Sequence, residues 1–75
     1  SKKTAIEILL KECYPAVLMN DVIAFGDNYN DIEMLKSVGL GVAVSNAKKE
    51  VLAIADKVTD SNKNDGVAKM IAALF

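Results

Sequence analysis

Two carboxylates and an amide, Asp27, Asn30 and Asp31, fall just after the apolar run Val22-Ile23-Ala24-Phe25 and the glycine that stops it, Gly26. Hard oxygen donors with no cysteine or histidine beside them suit Mg²⁺ better than zinc. A Mg²⁺ ion held by few carboxylates fills its octahedron with water and with the phosphate oxygens of a substrate. Each of these residues is also ordinary in turns and helix N-caps, and Asp31 alone would serve a helix dipole equally well. It is the cluster, placed where a buried run ends, that points to a cation. Lys2 and Lys3 stand just before the first helical stripe. They read either as solvated surface lysines or as point charges able to neutralise a phosphate. Asp60, Ser61 and Asn62 end a later apolar segment, and they read as a polar surface loop or as further lining of the same crevice.

The elements that must position these groups follow from periodicity. Ile6, Leu9, Leu10 and Cys13 recur at the spacing of one helix face, and Tyr14-Pro15 closes that segment because proline cannot continue the ladder. Val22–Phe25 has no alternation, which suits a strand buried on both faces of a parallel sheet. A second helix is expected from about Asp31 to Ser37, with Met34, Leu35 and Val38 on one side. Leu40–Val44 is a second strand, and Ser45-Asn46 offer N-caps for a third helix bearing Ala47, Val51, Ile54 and Ala55. Lys57–Thr59 is a weaker third strand, and the last helix carries Val67, Met70, Ile71 and Leu74 on one face. Strands alternating with helices imply parallel crossovers, hence an α/β sheet with helices on its faces. In such a sheet ligands bind beyond the carboxyl ends of the strands, where Asp27 stands. An EF-hand beginning at Asp27 fails, because Tyr29 and Ile32 occupy its third position and its glycine. Gly39-Leu40-Gly41 opens no dinucleotide fingerprint, since the third glycine is missing and these glycines do not follow the apolar run.

Composition narrows the classes. The chain has 75 residues, 52% of them hydrophobic and 5% aromatic, and a net charge of −1. Interspersed charges argue against nucleic acid or an anionic membrane as partner, and no stretch is long enough to span a bilayer. With no histidine, His-ligated zinc and His-based triads are excluded. The single cysteine, Cys13, is expected to be a core thiol and fits a reducing, cytoplasmic setting. The chain opens at Ser1 without methionine, and three parallel strands would leave bare sheet edges. A piece of a longer protein is therefore expected.

The segments "VIAFGDNYNDIEML", "VGLGVAVSNAKKEV", "ADKVTDSNKNDGVA" and the leading "SKKTAIEILL" resemble the C-terminal part of Cof-type haloacid dehalogenase superfamily phosphatases, cap subclass IIB. The resemblance covers essentially the whole chain. It implies a three-layer, Rossmann-like α/β core present here as a partial domain, residues 1–75. It also implies Mg²⁺-dependent hydrolysis of phosphate monoesters, small phosphorylated metabolites such as sugar phosphates, through an aspartyl-phosphate. By position, Asp27 matches the family's magnesium-ligating aspartate and Asp31 the second aspartate of that motif. Asn30 matches the asparagine tied to phosphate or substrate binding, and Lys2 the lysine that bridges nucleophile and phosphoryl group. The usual Ser-Lys-Gly is Ser1-Lys2-Lys3 here, and Lys2 is preferred over Lys3.

One departure has a chemical consequence. The family's nucleophile and general acid form an Asp-x-Asp pair, and no Asp-x-Asp occurs in this chain. The expected partners are therefore the missing N-terminal part of the same core domain, its cap, and a small phosphorylated metabolite. Two other readings remain open at this point: a stand-alone α/β binding module without catalysis, and a phosphotransferase or mutase of the same superfamily.

Overall fold

The computed structural model describes residues 1–61 and 64–74. Three parallel strands form one sheet in the order β1-β2-β3: β1 (Ile23–Gly26), β2 (Leu40–Val44) and β3 (Lys57–Thr59). Helices α1 (Lys2–Cys13), α2 (Ile32–Ser37), α3 (Lys49–Ile54) and α4 (Gly66–Leu74) alternate with them. β1 pairs with β2 from Ile23↔Leu40 to Gly26↔Ala43, so both strands deliver their carboxyl ends to the same edge of the layer.

Alternation along the strands sorts the two faces. Ala24 and Ala43, both buried, lie under Met34, Leu35 and Val38 of the α2 segment and Val51 of α3, and these residues form the main core. Small residues on this face let the helices come close. Phe25, Val42 and Val44 fall on the opposite face, where α4 packs along β3 and brings Val67 beside Phe25 and Val44. Helices thus cover both faces, as the alternating pattern predicts. Leu35, Val42 and Val51 are the largest fully buried side chains.

Local chemistry explains the element ends. The Ser1 hydroxyl accepts the Thr4 N–H at 3.2 Å and caps α1, so Lys2 is the first residue of the helix rather than a residue ahead of it. The Tyr14 N–H still reaches Leu10 O at 2.8 Å, after which Pro15 stops the ladder. Gly39 admits a close approach between the turn after α2 and residue Asn20: a Cβ there would stand 1.8 Å from the Asn20 carbonyl oxygen. Asp56 exchanges two hydrogen bonds with Gly41, its N–H to the carbonyl and its carboxylate to the N–H, each 2.8 Å long. That clasp sets where β3 begins.

Three expectations need correction. β1 runs one residue later than the apolar run, because the Val22 N–H is taken by Met19 O at 3.1 Å in the preceding 3-10 turn, Met19–Asp21. Ser45 and Asn46 do not cap α3; they form a turn in which the Ala47 N–H bonds Val44 O at 3.0 Å, and α3 starts at Lys49. Cys13 is exposed, not a core thiol. α1 rests on α2 alone among its larger contacts, so the flank carrying Leu9 and Cys13 is left open. No helix among the described residues is long and apolar enough to cross a membrane.

Candidate functional site

Gly26 ends β1, and the chain turns at once beneath it. A Cβ on Gly26 would lie 2.7 Å from Asp31 Cβ, so only glycine lets the Asp31 side chain tuck against the strand end. Asp31 closes a 3-10 turn, Tyr29–Asp31, that leads directly into α2. Its carboxylate is buried and both of its oxygens are engaged. Oδ2 accepts the N–H groups of Asp27 at 3.0 Å and Asn28 at 3.1 Å, while Oδ1 forms an ion pair with Lys2.

Asn28 caps the turn: its Oδ1 accepts the Tyr29 N–H at 2.8 Å, and Asn28 and Asp31 form a capping box, the side chain of each facing the backbone N–H of the other. The spacing Asn28-x-x-Asp31 is the sequence signal for this box. The result is a rigid exit loop that presents Asp27, whose side chain is exposed at the strand tip.

Electrostatics follow from these contacts. Burial by itself pushes the Asp31 carboxyl up, but the Lys2 hydrogen bond, the two backbone N–H groups and the Lys2 charge together outweigh it and hold the carboxyl below its ordinary 3.8. Asp31 is therefore ionised throughout the neutral range. On the far side of the loop the exposed Tyr29 phenol lies beside Glu50, which raises its pKa above the ordinary 10.0 by hydrogen bonding and then by its charge. The Lys48 ammonium stands 6.0 Å from the centre of the same ring, at the edge of the cation–π range.

Lys2, Asp27 and Asp31 converge on one open crevice of about 430 Å³ at the carboxyl end of β1. Its apolar walls are Phe25, Met34, Val44 and Val67, residues legible in the sequence only as core. Asn30 sits exposed on the adjacent turn and is not part of this lining. Of the two lysines it is Lys2 that reaches Asp31, and Lys3 is not part of the crevice lining. Asp60 pairs with Lys69 at 2.8 Å, and neither Asp60 nor Ser61 lines the crevice; Asn62 lies outside the described residues. Every polar donor to a cation here is oxygen, which fits a hard ion such as Mg²⁺. Among the described residues, however, no three acidic, cysteine or histidine side chains gather closely enough to form a complete cation shell.

The chain matches the haloacid dehalogenase-like hydrolase family over residues 1–71. Over 53 residues it is 55% identical to the 5-amino-6-(5-phospho-D-ribitylamino)uracil phosphatase YcsE of Bacillus subtilis, covering 71% of this chain and 21% of that protein. A crystal structure of a haloacid dehalogenase-like hydrolase from Bacteroides thetaiotaomicron is similar over 100% of this chain and 27% of its own, with a TM-score of 0.92 and 40% identity. A subclass IIB sugar phosphatase of the haloacid dehalogenase superfamily aligns over 99% of this chain and 28% of its own, with a TM-score of 0.90 and 32% identity. The chain spans less than a third of the length of each of these relatives.

Proposed function

Because the chain belongs to the haloacid dehalogenase-like hydrolase family, we propose that it is the C-terminal portion of the core domain of a Mg²⁺-dependent phosphatase. The substrate class is small phosphorylated metabolites, such as sugar phosphates. One observation carries the reading: Lys2 and two aspartates meet in a crevice at the strand end where an α/β sheet binds its ligand.

In this reading Asp27 is the direct cation ligand. Its carboxylate is exposed to the crevice mouth, and the hard oxygen set suits Mg²⁺. When bound, the ion supplies charge neutralisation for a phosphoryl group. Asp31 holds the exit loop through two N–H groups and holds Lys2 through Oδ1, whose second lone pair stays available to the metal site. Lys2 gives one of its three donors to Asp31, and its side chain is half exposed. The other donors can meet phosphate oxygens, where a positive charge favours the transition state over the ground state. Asn30, one residue before the buried aspartate, contacts substrate from the rim.

The attacking aspartate belongs to the remainder of the core domain, since no Asp-x-Asp pair lies in these residues. The unpaired edge of β1 and the open flank of α1 are the surfaces where that remainder would pack. The cap would choose among substrates. The test is phosphate release from a panel of monoesters by the full-length protein and by Asp27→Asn. The substitution is expected to lower turnover by orders of magnitude with an unchanged circular-dichroism spectrum. Near-normal turnover at saturating Mg²⁺ would overturn the assignment of Asp27.

A further inference from the structure

The backbone around Asp27 is held from two directions, and one of them comes from outside the exit loop. Asp31 takes the N–H groups of Asp27 and Asn28. The peptide group joining those two residues is also held at its other end: the Asp27 carbonyl accepts the Lys48 N–H at 3.0 Å. Lys48 immediately precedes α3, with φ −59° and ψ 147°. A peptide plane bonded through both its N–H and its C=O cannot swivel, so ψ of Asp27 and φ of Asn28 are fixed together. Only the side-chain torsions of Asp27 stay free. The Lys48 ammonium over the Tyr29 ring is a second contact between the same two segments.

We infer that the Lys48 N–H is a positioning group for Asp27, setting the direction of its carboxylate toward the crevice and thereby the affinity of the site for a divalent cation. This rests on Asp27 being the cation ligand of the proposed function. The donor belongs to the backbone, so the identity of the Lys48 side chain does not carry it. Removing the donor leaves the start of α3 otherwise intact, because Lys48 O still receives the N–H groups of Val51 at 2.9 Å and Leu52 at 3.0 Å.

Proline separates the bond from the helix. Lys48→Pro deletes the N–H, and its φ of −59° already suits the pyrrolidine ring. Lys49→Pro places the same ring one residue on, at the first helical position, where proline is favoured and the N–H has no intrahelical acceptor. Lys48 ψ of 147° is the conformation that a following proline requires. Mn²⁺ is titrated into the full-length protein and the free ion is followed by electron paramagnetic resonance. Lys48→Pro is expected to weaken binding by about three- to tenfold, the worth of one backbone hydrogen bond. Lys49→Pro is expected to stay within about twofold of wild type. Equal dissociation constants for the two variants would overturn the inference.

A second measurement uses only the wild-type protein. Linkage is reciprocal, so a bond that strengthens cation binding must itself be strengthened by the cation. Saturating Mg²⁺ should slow hydrogen exchange at the Lys48 amide by about the same three- to tenfold factor while leaving the Lys49 amide unchanged. Unaltered exchange at Lys48 would sink the idea even if the proline variant misfolds. Failure of the phosphatase reading looks different: wild-type protein would then bind no Mn²⁺ at all, and the positioning role would fall with it.

Discussion

Lys2 and Asp31 stand 29 positions apart and form an ion pair of unequal burial: the Asp31 side chain is 4% exposed and that of Lys2 is 51% exposed. The asymmetry decides what each partner is worth. Lys2 keeps access to water, so solvent compensates much of its loss and screens its charge. Asp31 has no such reserve, and it also satisfies two backbone N–H groups of the exit loop.

Asp31→Ala should therefore destabilise the full-length protein by about 2–4 kcal/mol, through two orphaned donors and a lost pair. Lys2→Met should cost only about 1 kcal/mol. Urea unfolding midpoints test the order. A Lys2→Met variant as unstable as Asp31→Ala would mean that the ion pair, not the loop capping, is the main stabilising contribution of Asp31.

The pH dependence has a definite sign. The folded Asp31 carboxyl titrates below its ordinary 3.8. A carboxyl depressed on folding contributes stability that is fully present above its unfolded pKa and is lost as pH falls through its folded one. The stability gap between wild type and Asp31→Asn should thus be constant from neutral pH down to about 5, then shrink as acid titrates the pair. Parallel unfolding series at several pH values measure it. A gap that widens in acid would contradict the depressed pKa.

How much of this was readable beforehand depends on how local each interaction is. β2 and β3 fall where the apolar runs place them, because the runs are short, β-branched and bounded by glycine or charge. β1 slips by one residue because Val22 still serves a 3-10 turn, and such turns carry no periodic signal. The α3 start was misread because Ser45 and Asn46 are good caps and good turn residues alike. The convergence of Lys2, Asp27 and Asp31 was legible through resemblance to a family motif, not through spacing. The physical tie between Lys2 and Asp31 spans α1, β1 and their connection, and no local pattern encodes it. Cys13 looked like core because helical spacing reports which residues share a face, not whether anything covers that face.

Two glycines separate folding from site geometry. Gly39→Ala would force a Cβ to 1.8 Å from the backbone carbonyl of Asn20, where no rotamer can relieve the overlap. It should destabilise the protein by about 3 kcal/mol or more, with cation affinity normal in whatever fraction stays folded. In Gly26→Ala the new Cβ meets the Asp31 side chain at 2.7 Å, which can shift at the expense of its bonds to Asp27, Asn28 and Lys2. The expected signature is a smaller loss of stability, about 1–2 kcal/mol, with a clear loss of Mn²⁺ affinity. Thermal unfolding and Mn²⁺ titration of the two variants distinguish them, and equal affinities would detach Gly26 from the site.

Under the proposed function, Asn30 and Asp27 offer the sharpest division between binding substrate and binding metal. Asp27 sits on the crevice, whereas Asn30 lies on the exposed rim outside its lining. A ligand that binds only the folded state raises stability by mass action, about 2.7 kcal/mol at a hundred times its dissociation constant. Mg²⁺ should therefore raise the thermal midpoint of the full-length wild-type protein. Asp27→Asn should abolish that rise, since the amide replaces the charged oxygen the ion needs. Asn30→Ala should preserve the rise and instead increase KM for a phosphate monoester by about five- to tenfold, the loss of roughly one hydrogen bond to a charged group. Loss of the Mg²⁺-dependent rise in Asn30→Ala would move that residue into the metal shell and overturn its assignment to substrate.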